Sequence, residues 1–398
     1  MERILTTELA AHASERVLLQ GWLHRERALA RVSFLVLRDR AGLAQIVVDE
    51  PLGVLPETVL EVEGVAVASE QEPGGVEVRD PEVRIVAEPA EQPPIELHRR
   101  ELKESLPTRL DAAAVALRHP VVRERFRLAA QAVAAFRRTL DGLGFTEIQT
   151  PKIVASATEG GANVFRLDYF GRDAFLAQSP QFYKQTMVGV FERVYEVGPV
   201  FRAEPHETGR HLAEYVSLDA ELGFIRDHHD VMDVLREVVV AMIDAVGERP
   251  PSDAAIVRFE DVRSGDEPDL SPADERRICE EHGELVFVEG FPTAKRPFYT
   301  HPDPGNPAWS RGFDLLCRGM EIVTGGQRLH RYEGYRAALA ARGLDEAPFV
   351  SYLDAFRFGM PPHGGFALGL ERFVAQVVGV GNVRETTLFP RDRSRLMP

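Results

Sequence analysis

Between Val17 and Val86 apolar residues come in short runs separated by turn formers: Val17-Leu18-Leu19, Phe34-Leu35-Val36-Leu37, Ala44-Gln45-Ile46-Val47-Val48, Gly64–Ala68 and Val83–Val86. Short β-rich runs of this kind predict strands, and five of them predict a small β-barrel. A five-stranded oligonucleotide-binding barrel fits the pattern, as do other small barrels. From Val121 to Leu143 the period lengthens: Phe126, Ala129, Ala130, Val133, Phe136 and Leu140 recur at helical spacing, with Gly142 and Gly144 as the stop. A strand ending at Pro151 follows, then strand-like runs mixed with helices over Val231–Val246 and Tyr332–Arg342. Strands grouped with few regular βαβ crossovers favour an α+β fold with an antiparallel sheet. Glu88–Pro107 carries Pro89, Pro93, Pro94 and Pro107 among many charges, the composition of an exposed connector. The expected domains are a barrel over 1–90, a hinge or linker over 91–119, and a larger domain over 120–398.

The length of 398 residues agrees with two or three domains. No apolar run reaches the roughly 18 residues of a membrane span, and Met1-Glu2-Arg3-Ile4-Leu5 lacks the pattern of a signal peptide, so a cytoplasmic, membrane-free protein is expected. Cys279 and Cys317 are too few for a disulfide framework and read as small buried apolar residues. A net charge of -15 argues against indiscriminate nucleic-acid binding but leaves room for local basic surfaces at Arg25–Arg40 and Arg99–Arg127.

There is neither a phosphate loop nor a dinucleotide-binding glycine motif, so a bound nucleotide would be held by side chains. The segment Gly198–Glu221 supplies them. Two strand-like runs flank a polar loop as a hairpin, and Arg202 and Arg210 match phosphate oxygens in geometry and stay charged when desolvated. Tyr215 offers a face to a base. Taken alone, such a segment is more often a solvated hairpin with surface ion pairs. Near the C-terminus Gly364-Gly-Phe-Ala-Leu-Gly-Leu-Glu-Arg-Phe373 forms a glycine-rich strand leading into a helix that begins at Glu371-Arg372.

Together, Phe201-Arg202-Ala203-Glu204 with Arg210-His211, and Gly369-Leu370-Glu371-Arg372, resemble the second and third signature motifs of class II aminoacyl-tRNA synthetases. The Val121–Leu143 helix and Pro151 resemble the first, which implies a homodimer. Ala155–Gly161, Gln178–Gln185, Gly325–His330, Pro361–Gly365 and Leu388–Arg393 narrow the resemblance to the aspartyl and asparaginyl subclass, nearest the archaeal-type aspartyl enzymes. It implies an N-terminal five-stranded oligonucleotide-binding barrel and a class II catalytic domain whose antiparallel sheet is flanked by helices. The implied reaction activates L-aspartate with ATP and transfers it to tRNA-Asp.

The resemblance also implies roles. Arg202 and Arg372 are catalytic. Arg202, Glu204, Arg210, His211, Tyr215, Glu321 and Arg372 bind ATP. Asp314 and Glu321 hold Mg2+. Lys184 and Arg328 clamp the side-chain carboxylate of the amino acid, while Glu159, Ser179, Gln181 and Asp219 accept from its ammonium. His363 lies near the site. Asp314 and Glu321 are seven apart in the expected strand Phe313–Val323, which would put them on opposite faces, so a bulge or turn is expected near Arg318-Gly319.

In the barrel, Arg27, Phe34 and Gln45 match anticodon-reading positions, with Phe34 stacking on a base and Gln45 reading an edge. Read by itself, Phe34 is as readily a core strand residue. His24 stands where enzymes that also charge tRNA-Asn often carry histidine. Departures from the family pattern fall at Ala30-Arg31, at Ala112-Ala113 and in the short stretch between Val246 and Phe287. The rivals are an asparaginyl-tRNA synthetase, a paralogue making an aminoacyl-adenylate without tRNA, and a non-catalytic RNA-binding protein.

Overall fold

The computed structural model describes residues 1–29, 31–70, 74–155, 163–205 and 207–397. Two compact units divide it, Met1–Arg123 and Glu124–Pro398. In the first, strands Arg16–Ala28, Ser33–Arg38, Leu43–Val48, Val76–Ala87 and Val59–Ala68 close, in that spatial order, into a five-stranded barrel. Alternation explains it: Leu35, Leu37, Ile46, Leu60 and Val62 are fully buried inside, while Phe34 and Val36 point outward and are half-buried. A register shift between Leu23 and Arg25 adds a residue to the first strand, so Leu23 and His24, though adjacent, are both buried. The proline-rich connector is not wholly exposed. Ile95 and Leu97 pack on Ala116, beyond the short helix Leu106–Asp111.

The second unit is built on an eight-stranded sheet, in the order Ala255–Arg258, Leu285–Glu289, Gly312–Cys317, Met320–Gln327, His363–Gly369, Glu214–Gly223, Arg193–Phe201 and Thr146–Glu147. Its inner strands are antiparallel, and only the outermost pair at each edge is parallel. The helices Pro120–Gly142 and His228–Ala245 lay Ala132, Phe136, Leu140, Leu235, Val239 and Met242 against one face, where Leu218, Ala220, Phe313, Leu315, Phe366 and Leu368 meet them. Period two then sends Ser217, Asp219, Glu221, Asp314 and Ala367 to the other face. Cross-strand pairing aligns Asp314, Thr324, Ala367 and Asp219 in one row, and Gly312, Gly326, Gly365 and Glu221 in the next. That row of glycines leaves space for long charged side chains.

Two expectations are corrected, and two helices are added. The strand before Pro151 is only Thr146–Glu147. Phe313–Val323 is a hairpin, not one strand: Gly312–Cys317 and Met320–Gln327 are joined through Arg318 (φ 48°) and Gly319 (φ 85°). Two consecutive positive φ values suit the right-handed twist of a tight hairpin. The helices Pro272–His282 and Val350–Arg357 went unread, although Ser271 and Asp274 cap the former reciprocally, with Pro272 at its first position. Among the described residues no helix is long and apolar enough to cross a membrane.

A Cβ at Gly365 would overlap the Ala220 carbonyl and the Glu221 carboxylate, whereas one at Gly142 meets nothing. Gly365→Ala is expected to cost about 3 kcal/mol or more through strand separation. Gly142→Ala, at the helix end, should be neutral or gain up to about 1 kcal/mol. Urea unfolding of the two variants checks the contrast.

Candidate active site

The hairpin of Arg193–Phe201 and Glu214–Gly223 delivers Arg202 and Tyr215 to the mouth of an open pocket of about 710 Å³. All seven residues expected to bind ATP line it: Arg202, Glu204, Arg210, His211, Tyr215, Glu321 and Arg372. The Arg202 guanidinium lies 5.8 Å from the Tyr215 ring centre and 3.7 Å from Glu204. Arg372 donates to the Glu321 main-chain oxygen (3.1 Å) and lies 3.4 Å from its carboxylate. Arg210 is held by Glu275 at 2.7 and 2.9 Å. Such a concave, arginine-lined space, with an aromatic at its rim, suits a polyphosphate carrying a base.

Asp314 and Glu321 do reach a common region. The turn reverses the chain, and Ile322 bulges where Leu315 faces Val323 and Leu316 faces Glu321, which brings Glu321 to the face of Thr324 and Asp314. The Thr324 hydroxyl donates to Glu321 at 3.1 Å. Burial pushes the Asp314 carboxyl up to about 6, the Glu321 charge adding to the effect and Arg296 opposing it. Burial acts on Glu321 in the same direction, but Arg372 brings its carboxyl below the usual range. Two neighbouring carboxylates, one of them raised partly by the other, are a donor set that a hard divalent cation suits, with phosphate and water completing its shell. Arg296 also takes part. It grips Asp314 through two hydrogen bonds, 2.8 and 3.1 Å, and lies over the Phe291 ring.

Beneath the pocket lies a cluster of buried charges. The Lys184 ammonium donates to Asp219 (2.9 Å) and the Phe366 carbonyl (3.0 Å), and lies 3.4 Å from Glu221. Arg328 donates to Glu221 at 2.9 and 3.4 Å and to the Gly365 carbonyl at 2.9 Å. Ser217 donates to Asp219 at 2.5 Å. Burial alone would push the Glu221 carboxyl up, but Arg328 and Lys184 hold it below the usual range. Hence Lys184 and Arg328 are not free cations, and Asp219 already accepts from a lysine. Gln181 is buried at the start of the helix Gln181–Phe191, its NH2 on Gln185, and Ser179 accepts from the Gln181 amide. Glu159 lies outside the described residues. His363 is fully buried and hydrogen-bonded to Gln185 and Pro361, its imidazole pushed down to about 4 by burial, so it is no base facing the pocket.

In the barrel, Arg27 and Phe34 are direct cross-strand partners, and Gln45, paired with Val36, stands next on the same outer face. The Gln45 amide donates to Glu77 at 2.9 Å. His24 is not on the surface: it is buried 3.2 Å from Arg38, which forms a two-pronged pair with Glu57, and its pKa falls to about 4 through burial and Arg38.

Three residues of these sites escaped the sequence reading. Glu221 was visible two positions after Asp219, on the same strand face. Arg296 and Glu275 had no such cue, since their partners are 18 and 46 to 65 residues distant.

Against known proteins, the family model described as tRNA synthetases class II (D, K and N) matches residues 105–393. A Thermus thermophilus protein named aspartate–tRNA(Asp/Asn) ligase is 43% identical over 100% of both chains, and one of the same name from Archaeoglobus fulgidus is 38% identical over 96% of this chain and 97% of its own. Among solved structures, the asparaginyl-tRNA synthetase from Pyrococcus horikoshii complexed with asparaginyl-adenylate superimposes with a TM-score of 0.92 at 29% identity, over 100% of each chain.

Glu221→Ala would leave Arg328 and Lys184 buried with a single carboxylate, and is expected to cost about 3–5 kcal/mol of stability, measured by denaturant unfolding. Glu371, whose carboxylate accepts from the Val216 amide, is pushed up to about 7 by burial. A carboxyl raised on folding binds its proton more tightly in the folded state. Its contribution is therefore complete below the unfolded value near 4.5 and is lost as pH rises through about 7. Between these limits stability should fall by on the order of 3 kcal/mol, and Glu371→Gln should flatten the slope in unfolding curves taken from pH 5 to 8.

Proposed function

The chain belongs to the class II tRNA synthetases of the D, K and N family, and on that footing we propose that it is an aspartate–tRNA ligase. It activates L-aspartate with ATP and esterifies tRNA-Asp, and tRNA-Asn as well. The observation that supports the choice of amino acid is the buried set in which Lys184 pairs with Asp219 and Arg328 with Glu221, two cations that a substrate side-chain carboxylate would share with those acids. An asparaginyl-tRNA synthetase, whose fold is the same, would need mixed donors and acceptors there.

The reaction needs no enzyme nucleophile. An oxygen of the aspartate α-carboxylate attacks the α-phosphorus in line, the bond to the bridging oxygen breaks, and pyrophosphate leaves. The terminal ribose hydroxyl of the tRNA then attacks the adenylate carbonyl and AMP departs. Positioning and charge neutralisation supply the rate. Arg202 holds the α-phosphate through the transition state. Arg210 and Arg372, aimed by Glu275 and Glu321, receive the far end of the triphosphate. Tyr215 stacks on the base, with Glu204 and His211 beside it. Ser179, Gln181, Asp219 and Glu159 take the substrate ammonium. Asp314 and Glu321 would hold Mg2+, which when bound neutralises phosphate charge.

Barrel residues 1–90 read the anticodon with Arg27, Phe34 and Gln45, residues 91–119 are the hinge, and residues 120–398 carry catalysis. A homodimer is supported by the apolar surface of the helix Pro120–Gly142: Ala129, Ala130, Val133 and Ala134 line an open groove, and Leu388 and Phe389 are exposed near Phe126. Charging of both tRNAs is supported by the paired specificity in the relatives' name.

ATP–pyrophosphate exchange should proceed with aspartate and not with asparagine, and Arg202→Ala should lower its kcat by on the order of 10²–10³. Labelled aspartate should be esterified to purified tRNA-Asp and tRNA-Asn. Exchange without transfer to either would overturn the tRNA half of the assignment, and exchange with asparagine the choice of amino acid.

A further inference from the structure

Behind Gln181 lies a hydrogen-bond chain that no catalytic step uses. The Gln185 side chain, fully buried, makes four bonds: its NH2 donates to His363 Nε2 and to the Tyr335 hydroxyl, both at 2.9 Å, and its carbonyl oxygen accepts from Gln181 Nε2 and the Tyr352 hydroxyl, both at 2.9 Å. The two tyrosine hydroxyls are 3.1 Å apart. With the Tyr352 proton spent on Gln185, Tyr335 donates to Tyr352, closing a ring of three groups.

The direction of these bonds follows from one group that cannot be reversed. The Pro361 carbonyl can only accept, so His363 Nδ1, 2.9 Å away, carries a proton. Burial keeps the ring neutral, its pKa near 4, which leaves Nε2 as an acceptor. Gln185 must therefore turn its NH2 toward His363 and its oxygen toward Gln181. Gln181 must answer with its own NH2. The Gln181 carbonyl oxygen is then turned away from Gln185.

We propose that Gln185 and His363 are positioning residues that fix the Gln181 carboxamide with its oxygen toward the substrate ammonium. This rests on the assignment of Gln181 to the aspartate site. A reversed Gln181 would present an NH2 to an ammonium, exchanging an attraction for a repulsion. A flip of Gln185 would set its oxygen against the His363 Nε2 acceptor and its NH2 against that of Gln181, whereas the two tyrosine hydroxyls can reverse and so do not fix the orientation.

The test measures KM for aspartate and for ATP in pyrophosphate exchange, and Ki for succinate, which has both carboxylates and no ammonium. Gln185→Met is expected to raise the aspartate KM on the order of tenfold, with succinate Ki and ATP KM unchanged. Gln181→Leu should do the same, and the double variant should be no worse than Gln181→Leu alone, because the relay has nothing left to orient. An unchanged aspartate KM in Gln181→Leu would remove the premise that Gln181 meets the ammonium. A raised KM in Gln181→Leu with none in Gln185→Met would overturn the relay itself. So would a succinate Ki that rises in parallel, the mark of a loosened pocket. Should Gln185→Met fail to fold, Tyr352→Phe removes one donor to the Gln185 oxygen and keeps the aromatic side chain. A rise of about threefold in aspartate KM with constant succinate Ki supports the proposal, and no rise or a parallel one overturns it.

Discussion

Four charges, Lys184, Asp219, Glu221 and Arg328, sit between 0% and 6% exposed at the centre of the catalytic sheet, and much of the surrounding architecture serves to make that arrangement tolerable. Two cations and two carboxylates sum to zero, and the hydrogen bonds to the Phe366 and Gly365 carbonyls and from Ser217 satisfy valences that pairing alone would leave open. Desolvation of ions is repaid only when geometry is this complete. The row of Gly312, Gly326 and Gly365 supplies the room, and the helices on the opposite face supply the apolar packing that holds the strands in register. A sheet with one oily and one ionic face is what alternation along Glu214–Gly223 encodes.

How much of this was legible varies with the range of the interaction. The barrel followed from five short β-rich runs, and the helix Pro120–Gly142 from apolar residues at helical spacing, because both signals are local. The pocket arginines followed from two short motifs, one spanning the hairpin of Arg193–Phe201 and Glu214–Gly223 and the other following the strand His363–Gly369, which pairs with Glu214–Gly223. Phe34 and Leu35 posed a conflict that the pleat resolves: Leu35 goes in, Phe34 goes out beside Arg27. His24 is buried because an added residue in the first strand turns it inward, and a register shift leaves no mark in composition.

The missed elements fail for physical reasons as well. Pro272–His282 has only Ile278 and Cys279 as buried apolar residues, so hydrophobic periodicity is weak there, whereas the Ser271–Asp274 spacing was readable. Arg296 and Glu275 meet partners far along the chain. Arg296 pairs with Asp314 and Glu275 with Arg210, so these arginines and carboxylates already occupy paired positions.

Neutrality of the buried cluster bears directly on the amino acid it admits. Once the α-carboxylate has entered the anhydride, aspartate contributes an ammonium and a side-chain carboxylate, a pair that adds no net charge. On the proposed assignment, Lys184 and Arg328 would share their donors between the substrate carboxylate and Asp219 and Glu221, and Asp219 would also accept from the ammonium. Asparagine would bring the ammonium without the carboxylate and leave a net positive charge in a site with little water to screen it. A buried unbalanced charge is costly, so on that assignment the neutral cluster would favour the amino acid that preserves its balance.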